Sequence, residues 1–220
     1  SDINQIIVRG HEPHELMQQV CKVAVEEGGF RLAWVGKVTT STGKVEVAAF
    51  AGGPVTYLED LRTNLADSEL SCGPVGACIR SGNPVVVNDI AGDPRMLPWR
   101  EATLKAGFHS MISLPIRVSG EVGSALSLYA DKPGFFDGDE VALLRELSSD
   151  LAFALEAVEQ ARRRTEAENS LRESEERFRT LAELSLVGIY LMQADRFFYV
   201  NQAMADMFGY PRKEFLGRLH

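Results

Sequence analysis

Between Gly138 and Gly188 the chain contains no further glycine and no proline, the two residues that most readily interrupt a helix. Asp137 stands where an N-cap residue belongs, and Glu140 follows it in a D-x-x-E form of the capping box. These features predict a helix from Asp137 to about Ser185, on the order of 70 Å long at about 1.5 Å per residue. A rod of that length cannot be buried within one domain of a chain of 220 residues. Leu144, Leu151, Leu155 and Val158 recur at heptad-like spacing in its first half. The second half is charged. Glu159–Arg163, Glu168–Arg172, Glu173–Arg177 and Glu175–Arg179 each place Glu four positions before Arg, the order that supports a solvated helix. Arg162 and Asn169 break the heptad, and Leu171, Phe178 and Leu181 resume it out of phase, so no register is strongly specified. The expected packing surface is a second copy of the chain, making a homodimer along a seam of Leu144, Leu151, Leu155 and Val158.

The residues before the rod read as an α+β domain, an antiparallel sheet flanked by helices. Pro13 opens a helix with Leu16, Val20, Val23 and Ala24 on one face, and Gly28-Gly29 ends it. Cys21 falls beside that stripe and reads as core. FRLAWVGKV (30–38) alternates Phe30, Leu32, Trp34 and Val38 against Arg31 and Lys37, a strand with one face inward. TSTG (40–43) is turn chemistry, and VEVAAFAGG (45–53) returns as its hairpin partner. A polar helical stretch spans roughly Val55 to Leu65. GPVGACIRSG (73–82) reads as a short helix, PVVVND (84–89) as a buried strand, and DPRMLPWREATLKAG (93–107) as a loop and helix. SMISLPIRV (110–118) and VGSALSLYA (122–130) are strands joined by a tight turn at Ser119–Glu121. After Ser185 the pattern returns to a hairpin, VGIYLM (187–192) and RFFYVN (196–201) around a turn at Gln193–Asp195. A short helix with Gly209 at its end follows. Residues 186–220 hold too few strands to close a core, so this last module is expected to be incomplete. The expected divisions are 1–136, 137–185 and 186–220.

Composition excludes several function classes. The net charge is −8, and no Lys/Arg cluster is interleaved with aromatics, which argues against nucleic acid and anionic membrane as partners. No run of 18 or more apolar residues and no signal-peptide pattern occurs. Cys21, Cys72 and Cys78 form no C-x-x-C pair, and an odd count suits a reducing compartment, so a cytoplasmic location is expected. His11 and His14 form H-x-x-H without a third ligand nearby, so no metal site is expected.

The segments GPVGACIRSGNPVVVNDI (73–90), DPR with Trp99, AGFHSMISLPI (106–116) and FFDGDEVALL (135–144) together resemble a GAF domain over about residues 10–160. The tail SEERFRTLAELSLVGIYLMQADRFFYVNQAMADMFGYPRKEFLG resembles the N-terminal part of a PAS domain. The resemblance implies a bacterial multidomain sensor whose downstream output is a diguanylate cyclase, a cyclic-di-GMP phosphodiesterase or a histidine kinase. No GGDEF, EAL or dimerisation-helix histidine is present here, so the fragment itself is expected to be non-catalytic.

DKPGFFDGDE (131–140) resembles the nucleotide signature of cyclic-nucleotide-binding GAF domains at Lys132, Phe135, Asp139 and Glu140, with Asp131 in place of the leading Asn. Helix-start chemistry explains the same residues without a ligand, Asp137 as cap and Phe135 or Phe136 as a staple, and is preferred. A bilin-binding GAF domain would carry a Cys-His pair, which is absent, and His109 reads as structure and not as a haem ligand. No cofactor is expected. What the resemblance leaves is a small-molecule pocket on one sheet face, with Trp34, Phe50, Asp89, Trp99, Arg100, Phe108, Ser110 and Tyr129 as candidates. Arg100 would suit a carboxylate or phosphate, and Trp34 and Trp99 a planar ring. Two alternatives stay open: a ligand-free dimerisation scaffold, and a redox-sensing or free methionine sulfoxide reductase-like domain using Cys72 and Cys78.

Overall fold

The computed structural model describes residues 12–39, 41, 43–54, 56–57, 73–194 and 196–216. The chain divides into two compact units, residues 1–160 and 161–220. Helix α1 is Pro13–Glu26. Strands β1 (Leu32–Val38) and β2 (Val45–Gly52) follow, then helix α2 (Pro74–Ser81) and strand β3 (Val85–Val87). After a 3-10 turn at Pro94–Met96 come helix α3 (Arg100–Lys105), β4 (Ser110–Val118), β5 (Glu121–Ala130) and the long helix α4 (Gly138–Leu184). The second unit adds a hairpin of β6 (Tyr190–Gln193) and β7 (Arg196–Val200) and helices α5 (Gln202–Phe208) and α6 (Arg212–Phe215). The helical reading of 55–65 lies almost wholly outside the described residues, as do Cys72, His11, Asp195 and part of the 40–43 turn.

The first unit is a five-stranded antiparallel sheet in the order β2-β1-β5-β4-β3. The expectation of a one-faced β1 needs correction. β1 lies between β2 and β5, and Leu32, Ala33, Trp34 and Val35 are all buried. A strand in the middle of a sheet covered on both sides has no solvent face. One face packs Ala33, Val35, Ile112, Leu114, Ile116, Leu126 and Leu128 against α1 and α4. The other packs Leu32, Trp34, Val87, Met111, Ala125 and Tyr129 under α2, α3 and their loops.

The dimer seam is corrected by the same packing. Leu144, Leu151 and Leu155 are 3%, 1% and 7% exposed and belong to the first of these cores, with half-buried Val158 packed against it. They face the sheet of their own chain, because heptad-like spacing is also the spacing of a helix lying on a sheet. The apolar side chains that α4 leaves exposed are different ones. In the first unit these are Leu143 (62%) and Phe153 (69%).

The start of α4 is built as the capping chemistry requires. Asp137 Oδ1 accepts from the Glu140 backbone N–H at 2.9 Å. Phe136 is buried and stacks on Phe30 at 6.1 Å, while Asn88 clamps its backbone, donating to Phe136 O (2.9 Å) and accepting from Phe136 N (3.0 Å). Asp131 is already spent on Arg31, which donates through Nε at 2.9 Å. Asp131 of the nucleotide-like segment and the capping residue Asp137 therefore each have a structural task.

In the second unit, Arg177 meets Glu173 at 3.5 Å in the expected order, whereas Glu168 takes Arg164 and not Arg172, and Arg162 pairs with Glu166. Asn201 fixes the turn from α4 into the hairpin. Its Nδ2 donates to Ala182 O and Val187 O, and its Oδ1 accepts from Ile189 N and Met204 N. Glu183 accepts from the Tyr199 hydroxyl at 2.9 Å and from Arg212 Nη2, which ties the end of α4 to β7 and α6.

Candidate functional site

The two faces of the first unit's sheet differ in chemistry. Strand register places Leu32 and Trp34 of β1, Phe50 of β2, Ser127 and Tyr129 of β5, and Met111 and Ser113 of β4 on the face away from α1 and α4. Trp34, Trp99, Phe108 and Tyr129 join one buried cluster there, with half-buried Phe50 at its rim. Tyr57 completes an aromatic triad, its ring centroid 5.2 Å from Phe108 and 6.1 Å from Tyr129, with Phe108 and Tyr129 5.2 Å apart. The Trp99 ring packs close to the backbone at the entry to α2. A Cβ added at Gly73 would sit 2.5 Å from its indole, so only glycine lets the backbone come this close.

Polar groups are buried among these rings. The Tyr57 hydroxyl lies 3.3 Å from Thr103 Oγ1 and donates to the Tyr129 hydroxyl at 3.4 Å, and Thr103 donates to Trp99 O at 2.7 Å. Ser113 and Ser127, direct partners across β4 and β5, share a hydrogen bond of 2.9 Å and are fully buried. Burial pushes the Tyr129 hydroxyl well above its ordinary value, Tyr57 adds to the rise, and the Trp34 N–H opposes it. That indole nitrogen nevertheless completes no well-formed hydrogen bond among the described residues, and neither does Trp99 Nε1. Buried donors of this kind cost about 1–3 kcal/mol each when left unpaired.

Three candidates fall elsewhere. Ser110 shares the face of Ile112 and Leu114, and its hydroxyl is spent on Lys132 O at 2.7 Å, so strand alternation removes it from the aromatic face. Asp89 is exposed and caps its own turn, accepting from Ala91 N at 3.1 Å. Arg100 donates through Nη2 to Asp93 O at 3.0 Å, holding the 93–100 loop together, while its Nε is buried without a partner among the described residues. Beside it, the Arg95 guanidinium hydrogen-bonded to Asp93 holds that carboxyl below its usual range. Tyr57, Thr103, Ser113 and Ser127 were not among the sequence candidates. The signal for the two serines was present, since each stands in phase with the second inward face of a strand.

The two described cysteines, Cys21 and Cys78, are buried and not set up for thiol chemistry. Burial pushes Cys78 up to about 12, and Cys21 likewise to about 12. His109 and His14 are exposed, and no cluster of three or more His, Cys, Asp or Glu side chains able to hold a metal occurs among the described residues. No described helix is long and apolar enough to cross a membrane.

Comparison with known proteins agrees with this architecture. A family model described as GAF domain matches residues 10–156, and one described as PAS domain matches residues 176–220. The methyl sulfide methyltransferase-associated sensor of Methanosarcina acetivorans is 30% identical over 144 residues, 64% of this chain and 14% of that protein. The chain thus spans about a seventh of that relative. Among solved structures, the free methionine-R-sulfoxide reductase of Neisseria meningitidis superposes with a TM-score of 0.58 at 20% identity, over 72% of this chain and 87% of that one. The GAF domain region of a putative membrane protein from Geobacter sulfurreducens does so with a TM-score of 0.54 at 22% identity, over 70% and 99%. At these identities the likeness is one of fold.

Proposed function

This chain belongs to the GAF domain family and continues into the opening of a PAS domain, and from that premise we propose that it senses a small, largely apolar molecule with a planar ring on its aromatic sheet face. It is a sensor module, and the ligand, the relay and the output are what the proposal adds. The observation that carries it is the pair of buried indole N–H groups, Trp34 and Trp99, neither of which completes a well-formed hydrogen bond among the described residues. A ligand with acceptor atoms at the edge of a planar ring would satisfy them while stacking on Phe108 and Tyr129.

The relay in this reading is α4, which is part of the first unit's core and continues without a break to Leu184. Two copies associate through the apolar side chains that α4 leaves outside its own core, Leu143 and Phe153 in the first unit and Leu171, Phe178 and Leu181 in the second. A ligand that prefers one of two helix alignments shifts their populations by its differential affinity. The output lies in a downstream domain of the same protein, a cyclic-di-GMP enzyme or a histidine kinase.

The two tryptophans of the chain both stand on this face, so intrinsic indole fluorescence reports on it alone. A solvent extract of the purified protein, added back to stripped and refolded chain, should change that emission saturably. The response should weaken at least tenfold in Trp99→Phe. An extract without effect favours the second reading, a ligand-free dimerisation scaffold, for which the filling of the face by Tyr57, Phe108 and Tyr129 speaks.

A further inference from the structure

On the α1/α4 side of the sheet, β4 outruns its edge partner. β3 pairs with β4 only from Met111 to Ser113, so among the described residues Leu114–Val118 present an open strand edge. A cleft of about 330 Å³ lies against that edge, lined among others by Asn83, Pro115, Arg117, Arg145, Ser148 and Ser149. Its parts come from three elements. Pro115 sits at an edge position that needs no N–H donor, and its carbonyl accepts from Ser148 Oγ at 2.8 Å, which fixes α4 to the strand. Arg145, Ser148 and Ser149 are spaced to share one face of α4. The register of β4 shifts between Ile116 and Arg117, an irregularity of the kind that re-aims a strand's side chains.

The charge of the cleft runs against that of the molecule. The chain carries −8 overall, yet among the described residues this cleft is lined by two guanidinium groups and by no aspartate or glutamate. Arg117 spends one donor on Gly120 O at 2.8 Å, keeping the rest of its fork. Arg145 forms no hydrogen bond or ion pair with a described residue. Two unneutralised cations facing one cavity repel each other unless an anion stands between them.

We propose that this cleft binds a small oxyanion, a phosphate or carboxylate group, between Arg117 and Arg145, with Ser149 and the Asn83 amide as neutral donors. Paired guanidinium forks match the geometry of such groups, and the volume lies at the lower end of what small-molecule sites occupy, about 300–1,000 Å³. The bound group joins β4 to α4 inside the first unit, so it acts on the relay helix as an input separate from the aromatic face. It holds whether or not that face takes a ligand.

The test is thermal unfolding of the whole chain with inorganic phosphate or succinate titrated against chloride at constant ionic strength. A saturable rise in Tm is expected with at least one anion, and Arg145→Ala should weaken the apparent affinity at least tenfold while melting like the parent in chloride. Arg117→Lys, which keeps the charge and loses the fork, should also weaken it. Stronger binding of phosphate assigns the natural ligand to phosphate esters, and stronger binding of succinate to carboxylates. No saturable response to either anion, or an Arg145→Ala variant that binds as tightly as the parent, overturns the proposal.

Discussion

The two faces of the first unit's sheet are both buried, but they are buried in different ways. The face toward α1 and α4 is mostly hydrocarbon, Leu16, Val20, Val35, Ile112, Leu126, Leu128, Leu151 and their neighbours, and its buried hydroxyls, Ser110 and Ser148, each donate to a backbone carbonyl. The opposite face mixes rings with hydroxyls and indole N–H groups, and two of those donors go unsatisfied among the described residues. A fold needs only the first kind of face to be stable. Polar groups buried there without a partner lower stability, and a functional site is where a fold is expected to carry them.

That contrast can be broken by mutation, and the largest effect should come from the apolar face. Leu151, 1% exposed between α4 and the sheet, should cost about 2–5 kcal/mol as Leu151→Ala, read as a drop in the denaturant midpoint. A loss under about 1 kcal/mol would mean that α4 is not seated there. On the aromatic face, Tyr129→Phe removes the acceptor of the Tyr57 hydroxyl and should cost only about 1 kcal/mol by the same assay. The serine pair should be milder still. Replacing both Ser113 and Ser127 with Ala removes donor and acceptor together, so stability should stay within about 0.5 kcal/mol of the parent or rise. A large loss from the double variant would make the pair structural and blunt the contrast.

The smallest expected effect concerns thiol chemistry. Cys21 stands in one face and Cys78 in the other, and burial holds both near 12. Peptide mapping after iodoacetamide treatment of the native protein at pH 7 should find neither alkylated, since the thiolate is the reactive form. Rapid modification of Cys78 would revive the redox reading for this face.

How much of this was legible in the sequence depended on whether a rule is local. The cap at Asp137, the left-handed ends at Gly82 and Gly209, and the length of α4 follow from short-range chemistry, and residue order alone carried them. Assigning a face was harder, because it depends on the neighbours a strand acquires. β1 shows an alternation of large and small apolar residues, Trp34 against Ala33 and Val35, that reads as one-faced until β5 is known to lie beside it. The heptad-like leucines of α4 posed the same ambiguity, since a sheet and a second helix ask for nearly the same stripe. Of the residues named from the sequence, Trp34, Trp99, Phe108 and Tyr129 share one buried cluster, because large rings in a strand or covering loop announce themselves. Ser110 was misplaced by one step of strand register, and Ser113 and Ser127 were overlooked for the same reason.

In the proposed relay, occupancy of the aromatic face changes how α4 of one copy lies against α4 of another. Pulsed electron–electron resonance on the Cys72→Ser chain, spin-labelled at Asn169→Cys on the exposed side of α4 away from Leu171 and Phe178, measures that arrangement. A defined interchain distance is expected, and it should shift when the extracted ligand is added back to stripped protein. No interchain distance at any protein concentration, or one that ignores the ligand, would contradict it.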